Sequence, residues 1–238
     1  MAMGARHPSG PPPHGSPPRT ALVAGATGLV GGHCVTNLLA SDRYASVITV
    51  GRRPTDRTHP KLRQQTVDFT NLESAAGLAA DDVFCCLGTT IGKAGSRDAF
   101  RQVDYGYPFA LARATLGQGA QQFLLVSSLG ADPDSRTFYL RVKGDLEAAI
   151  RNLPFTAALV FRPSLLLGER KELRLGERVS AVAMLGLSPL MRGRFSRLRP
   201  IQAADVARAM VRAAQLETDG YAVFESNQIA DLASRPDV

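Results

Sequence analysis

The sequence predicts a doubly wound α/β fold, a parallel sheet covered by helices on both faces within a single domain. Three observations lead there. Short apolar runs alternate with helical patterns from Thr20 to about Pro163, as a parallel sheet with right-handed crossovers requires. Tryptophan is absent and aromatics make up only 6% of the chain, so Ala, Leu, Val and Gly carry the packing, which suits strands buried under helices. At 238 residues and 45% hydrophobic, the chain can build one sizeable core.

The elements follow in order. Ala21-Leu22-Val23-Ala24 reads as a short buried strand, followed by closely spaced glycines and a helix through about Leu39. Val47-Ile48-Thr49-Val50 is a second strand ending at Gly51-Arg52-Arg53, and Gln65-Thr66-Val67-Asp68 is the end of a third. Asp82 to Leu87 forms the fourth, ending at Gly88, before one helix over about Arg97–Leu116. Gln122 to Val126 is a fifth strand ending at Ser127-Ser128, then a helix spans about Thr137–Leu153 and a sixth strand runs from Thr156 to Phe161. Beyond Pro163 no period is clear, except a short amphipathic helix at Ala203–Ala214 and a last strand at Tyr221–Phe224. Residues 1–19 are expected to be a disordered Pro/Gly-rich tail, 20–225 the folded domain with a small substrate-side region, and 226–238 a C-terminal tail. The leading segment has too little to bury to offset the entropy of ordering it.

Composition excludes several functions. Cys34, Cys85 and Cys86 are an odd set, two of them in an apolar run; they read as reduced, buried thiols of a cytoplasmic protein. No His or Cys spacing suits a metal. No apolar stretch approaches the ~20 residues of a membrane span, and the leader lacks the apolar segment of a secretory signal. The net charge of +7 favours anionic ligands. The arginines Arg192, Arg194, Arg197 and Arg199 are interleaved only by Phe195. They read as a solvated or ligand-facing loop, and no nucleic-acid partner is expected.

Gly25-Ala26-Thr27-Gly28-Leu29-Val30-Gly31 places GxxGxxG between a strand and a helix. The first glycine permits the turn and the second lets backbone approach a pyrophosphate at the helix N-terminus. The third allows close helix–strand packing. The alternative is a tight turn with no ligand. A dinucleotide-binding Rossmann domain is the expectation, and the cofactor is read from the next strand end. An NAD binder usually carries an acid there, whereas this chain has Arg52 and Arg53. Guanidiniums suit a 2′-phosphate, so NADP(H) is expected, with two solvated surface arginines as the alternative. Asp68 is the candidate for the adenine amino group, and Leu87 and Gly88 for the far wall of the adenosine.

Tyr139 and Lys143 form YxxxK on one helix face, downstream of Ser127 and Ser128. A nearby ammonium lowers a phenol pKa from about 10, so tyrosine can act as acid or base. A serine hydroxyl steadies the substrate oxygen. Taken together, these residues are similar to those of atypical, single-domain short-chain dehydrogenases/reductases, and more narrowly to the Tat-interacting-protein-type oxidoreductases. The matching runs include Gly25 to Gly31, Phe84-Cys85-Cys86-Leu87-Gly88-Thr89-Thr90, Gly92-Lys93-Ala94-Gly95, Tyr139-Leu140, Val142-Lys143-Gly144 and Phe161-Arg162-Pro163.

The resemblance implies a small carbonyl or alcohol substrate, Tyr139 as proton donor or acceptor, and Lys143 on the cofactor ribose. It places Thr27, Gly28, Leu29, Val30, Arg52, Arg53, Leu87 and Gly88 along the cofactor, with Leu166 and Arg174 closing over the nicotinamide end. The superfamily's usual asparagine on the central helix is here Asp104. Of the serines, Ser128 is preferred as the one facing substrate. The rival readings are an NADPH-binding sensor with weak catalysis and, last, a nucleotide-sugar epimerase or dehydratase. A homodimer or a protein partner is compatible with the sequence.

Overall fold

The computed structural model describes residues 18–168, 197–216 and 218–235, apart from the side chains of Glu73 and Ser74. Seven strands form one parallel sheet in the order β3-β2-β1-β4-β5-β6-β9. They are β1 (Arg19–Ala24), β2 (Tyr44–Gly51), β3 (Leu62–Thr66), β4 (Asp82–Cys85), β5 (Gln122–Val126), β6 (Ala157–Arg162) and β9 (Gly220–Glu225). A two-residue pair, β7 (Leu166–Leu167) with β8 (Ile201–Gln202), stands apart from it.

Side chains alternate across each strand, and each face finds its own helices. Ala21, Val23 and Phe84 face a cluster built with α1 (Leu29–Ala40), α6 (Ala203–Gln215) and α7 (Ser226–Ser234). Leu22, Ala24, Val83 and Cys85 face the other cluster, with α4 (Tyr107–Gly117) and α5 (Phe138–Arg151). Strand order reverses between β1 and β4, so the crevice at their carboxyl ends is the place where such sheets take ligands.

Four expectations need correction. The helix expected over Arg97–Leu116 is α3 (Arg97–Arg101), a π-turn (Gln102–Gly106) and α4. Pro108 has no N–H for the Asp104 carbonyl, so the regular ladder cannot run through. The third strand ends at Thr66, and Asp68 instead caps a 3₁₀ segment (Phe69–Ser74) by accepting from Thr70 N at 2.9 Å.

The expected C-terminal tail contains helix α7, which sinks Ile229, Leu232 and Ala233 into the core. Its capping box joins Glu225 and Gln228, and Ser226 Oγ accepts from Ser164 N at 2.7 Å. Finally, Arg19, assigned to the leading tail, opens β1.

Arg19 grips the fully buried Asp82 with two bonds of 2.9 and 2.7 Å, and Tyr44 OH donates to the same carboxylate at 2.8 Å. Burial still holds the Asp82 carboxyl above its usual range, although both donors act against that. Deleting residues 1–18 is therefore expected to leave the melting temperature unchanged. Arg19→Ala, which leaves the buried Asp82 carboxylate the Tyr44 hydroxyl but removes the guanidinium that pairs with it, is expected to cost about 3 kcal/mol. That corresponds to a melting temperature lower by roughly 6–12 °C, measured by calorimetry on both variants.

Candidate functional site

The glycine turn is dictated by contact distances. Gly25 has φ +86°, and a Cβ there would lie 2.5 Å from the Cys86 carbonyl oxygen. A Cβ on Gly31 would lie 2.2 Å from the Gly25 oxygen, so α1 can pack this close to β1 only without a side chain there. Gly28 is the N-cap of α1 and supplies no side-chain cap. The first N–H groups of a twelve-residue helix therefore face the crevice.

Above the turn lies a cleft of two adjoining lobes, about 790 and 880 Å³. The first is lined by Gly25, Thr27, Gly28, Arg52, Arg53, Leu87 and Gly88. The second is lined by Leu29, Val30, Ser127, Tyr139, Lys143 and Leu166. Most of the residues singled out in the sequence thus share one cleft. Gly31 lies behind the turn as packing. Arg174, Arg192 and Arg194 lie outside the described residues. Asp68 does not line the cleft; the Thr70 N–H that it accepts holds its carboxyl below the usual value.

Helix α5 sets the second lobe. It lies against the 132–133 backbone because residue 144 is glycine: a Cβ there would be 2.2 Å from the Asp132 carbonyl carbon. Tyr139 is half-buried with its ring 5.6 Å from that of Phe100. Lys143, one turn on, is buried and its ammonium lies 2.7 Å from Asp104 Oδ1. Asp104 Oδ2 accepts Thr89 N at 2.8 Å. Burial alone would push the lysine down, but Asp104, helped by Tyr139, holds it above its ordinary value.

A further turn along, Glu147 is also buried. It accepts a hydrogen bond from the Ser127 hydroxyl and is clasped by Arg162, whose Nε lies 3.0 and 3.1 Å from its two oxygens. Ser127 is therefore the serine in the cleft. Ser128, the one preferred from the sequence, is half-buried and does not line it. Glu147 was missed, although Tyr139, Lys143 and Glu147 recur every four residues on one helix face. Arg57 was missed as well. It lines the cleft beside Gly32 and donates to Thr36 Oγ1 at 2.8 Å, from a loop that Gln64 braces through the carbonyls of Thr55 and Arg57.

The thiols are only partly as expected. Cys85 is buried and its thiol is pushed up to about 12 by desolvation. Cys86 is half-buried and reaches the cleft, with its Sγ 4.0 Å from that of Cys34.

The donor set suits a dinucleotide. Bare helix N–H groups stand at the centre of the cleft, guanidiniums at one end, and an ammonium with a phenol at the other. Gly88 leaves the ammonium open to the cleft, since a Cβ there would lie 3.7 Å from Lys143 Nζ. A parallel sheet with its cleft at the β1/β4 switch point has the architecture of the dinucleotide-binding Rossmann proteins.

Comparison with known proteins agrees. The chain belongs to the NAD(P)H-binding family, whose profile matches residues 25–217, among the atypical short-chain dehydrogenases/reductases. It is 38% identical over 164 residues to Protein HTATIP2 of Rattus norvegicus, covering 67% of each chain. It is 32% identical over 208 residues to Protein FMP52, mitochondrial, of Candida albicans, covering 84% of this chain and 89% of that one. In fold it is similar to the human epimerase family protein SDR39U1 solved with NADPH, at TM-score 0.60 and 19% identity, over 87% of this chain and 74% of that one.

The FMP52 relatives correct the expected cytoplasmic location, since they are named as mitochondrial proteins. Free thiols, the feature that suggested the cytoplasm, do not separate the two compartments. Among the described residues no helix is long and apolar enough to cross a membrane.

Proposed function

We propose that this protein is an NADP(H)-dependent oxidoreductase acting on a small carbonyl or alcohol. The observation that carries the reading is the layout of one continuous cleft. Arg52 and Arg53 stand where an NAD binder has an acid, and Tyr139 with Lys143 stands at the opposite end of the same glycine turn. In this reading the arginines take the 2′-phosphate, the first turn of α1 takes the pyrophosphate, and Lys143 holds ribose hydroxyls past Gly88. The bound nicotinamide supplies or accepts the hydride. Tyr139 exchanges the proton at the substrate oxygen, and Ser127 orients that oxygen.

One observation favours a second reading, a cofactor-binding sensor with weak catalysis. The only hydroxyl proton of Ser127 is committed to Glu147, so the serine presents lone pairs to the cleft where a carbonyl substrate needs a donor. NADPH oxidation followed across aldehydes, ketones and quinones separates the two. Turnover of any of these supports the reductase; tight NADPH binding with no turnover across the panel replaces it with the sensor.

A further inference from the structure

The polar centre of the cleft carries a charge that carbonyl chemistry alone does not require. Asp104 is drawn inside by the π-turn and is fully buried. Its two oxygens bind different segments: Oδ2 accepts the Thr89 N–H of the loop after β4, and Oδ1 pairs with the Lys143 ammonium of α5 at 2.7 Å. Oδ1 has no other partner among the described residues. The side chains of the pair are only 5% and 1% exposed, so water screens them little. An asparagine could fill the same space and accept the same Thr89 bond, yet it could not balance the lysine.

A lone buried ammonium one helical turn from a phenol favours the phenolate strongly. An ammonium paired with a carboxylate is close to neutral when seen from a third group, and its field falls off faster. The other titratable groups that line the same lobe of the cleft as Tyr139 are Lys93 of α2 (Ile91–Ala94), Cys86 just after β4, His33 of α1 and Arg57 of the β2–β3 loop. Cys85 lies behind the lysine. None of the described ones is an acid that could replace Asp104.

We propose that Asp104 is a positioning residue that docks Lys143 beneath Gly88 and offsets its charge, so that Tyr139 keeps its proton to higher pH than the lysine alone would allow. This deepens the reading of Tyr139 and Lys143 as a working pair, but its test needs no substrate. Tyrosinate absorbance is titrated in the full chain. Subtracting the matching Tyr139→Phe protein in each background isolates Tyr139 from the other tyrosines, the chain having five in all.

Asp104→Asn is expected to lower the Tyr139 midpoint by about one pH unit or more. Lys143→Gln is expected to raise it, and the double variant to return near wild type. If Asp104→Asn alone does not fold, the double variant, which removes both charges, must still titrate below Lys143→Gln by a similar margin. Coinciding midpoints in either comparison overturn the proposal, since a purely structural role would move neither. A protein that turns over no carbonyl would overturn the reductase reading and leave this titration intact.

Discussion

Replacing Tyr139 with phenylalanine is expected to lower turnover by about 100-fold or more, the scale of a lost acid–base group, while NADPH affinity stays near wild type. The substitution keeps the ring against Phe100 and removes only the hydroxyl, so a packing effect is small. Lys143→Ala should damage both quantities. It removes the ribose contact, and it strands Asp104, whose carboxylate then lies buried beside Tyr139 and resists loss of the phenol proton. Steady-state kinetics with a reactive carbonyl, together with calorimetric titration of NADPH, gives both readouts. Full turnover by Tyr139→Phe would end the assignment of Tyr139 as acid–base group.

The second large effect is on cofactor choice. Arg52→Ala with Arg53→Ala is expected to weaken NADPH by several kcal/mol, at roughly 1.5–3 kcal/mol per charged hydrogen bond. That is a loss of about 100-fold or more in affinity. NADH, lacking the 2′-phosphate, should bind nearly as before. Equal losses for both cofactors would place these arginines on the pyrophosphate or on the fold itself.

The sheet was legible because parallel strands are short, apolar and bounded by glycine or by polar strand ends. Six strand positions and the glycine turn follow from that pattern alone. The Tyr139/Lys143 face was legible for a related reason, since helical spacing is fixed. Burial partners were not. Whether Ser127 or Ser128 enters the cleft depends on Glu147 and Arg162, which lie 20 and 35 residues further along the chain from Ser127 and meet only in the fold.

Asp68 looked like a ligand residue because it sits near a strand end, but an acid two residues before a free N–H caps its own turn first. Helix α7 was overlooked because its apolar side is narrow. Its N-cap is Glu225 in place of the usual Ser, Thr, Asp or Asn, so only Gln228 followed by Ile229 and Leu232 hinted at a helix start.

The arginines beside the glycine turn bear on how fast a ligand arrives as well as on how tightly it is held. Arg52, Arg53 and Arg57 are exposed along the mouth of the cleft, and none forms an ion pair with a described carboxylate. Asp56 is the acid that shares the lobe of Arg52 and Arg53. Such an edge projects a positive field into solvent over about one Debye length, near 10 Å at 0.1 M salt, and draws in polyanions before any contact forms. The association rate constant for NADPH should therefore fall steeply as salt is raised, while the dissociation rate changes little. Stopped-flow fluorescence at several ionic strengths would measure both rates. An association rate indifferent to salt would mean that the arginines act only once the nucleotide has docked.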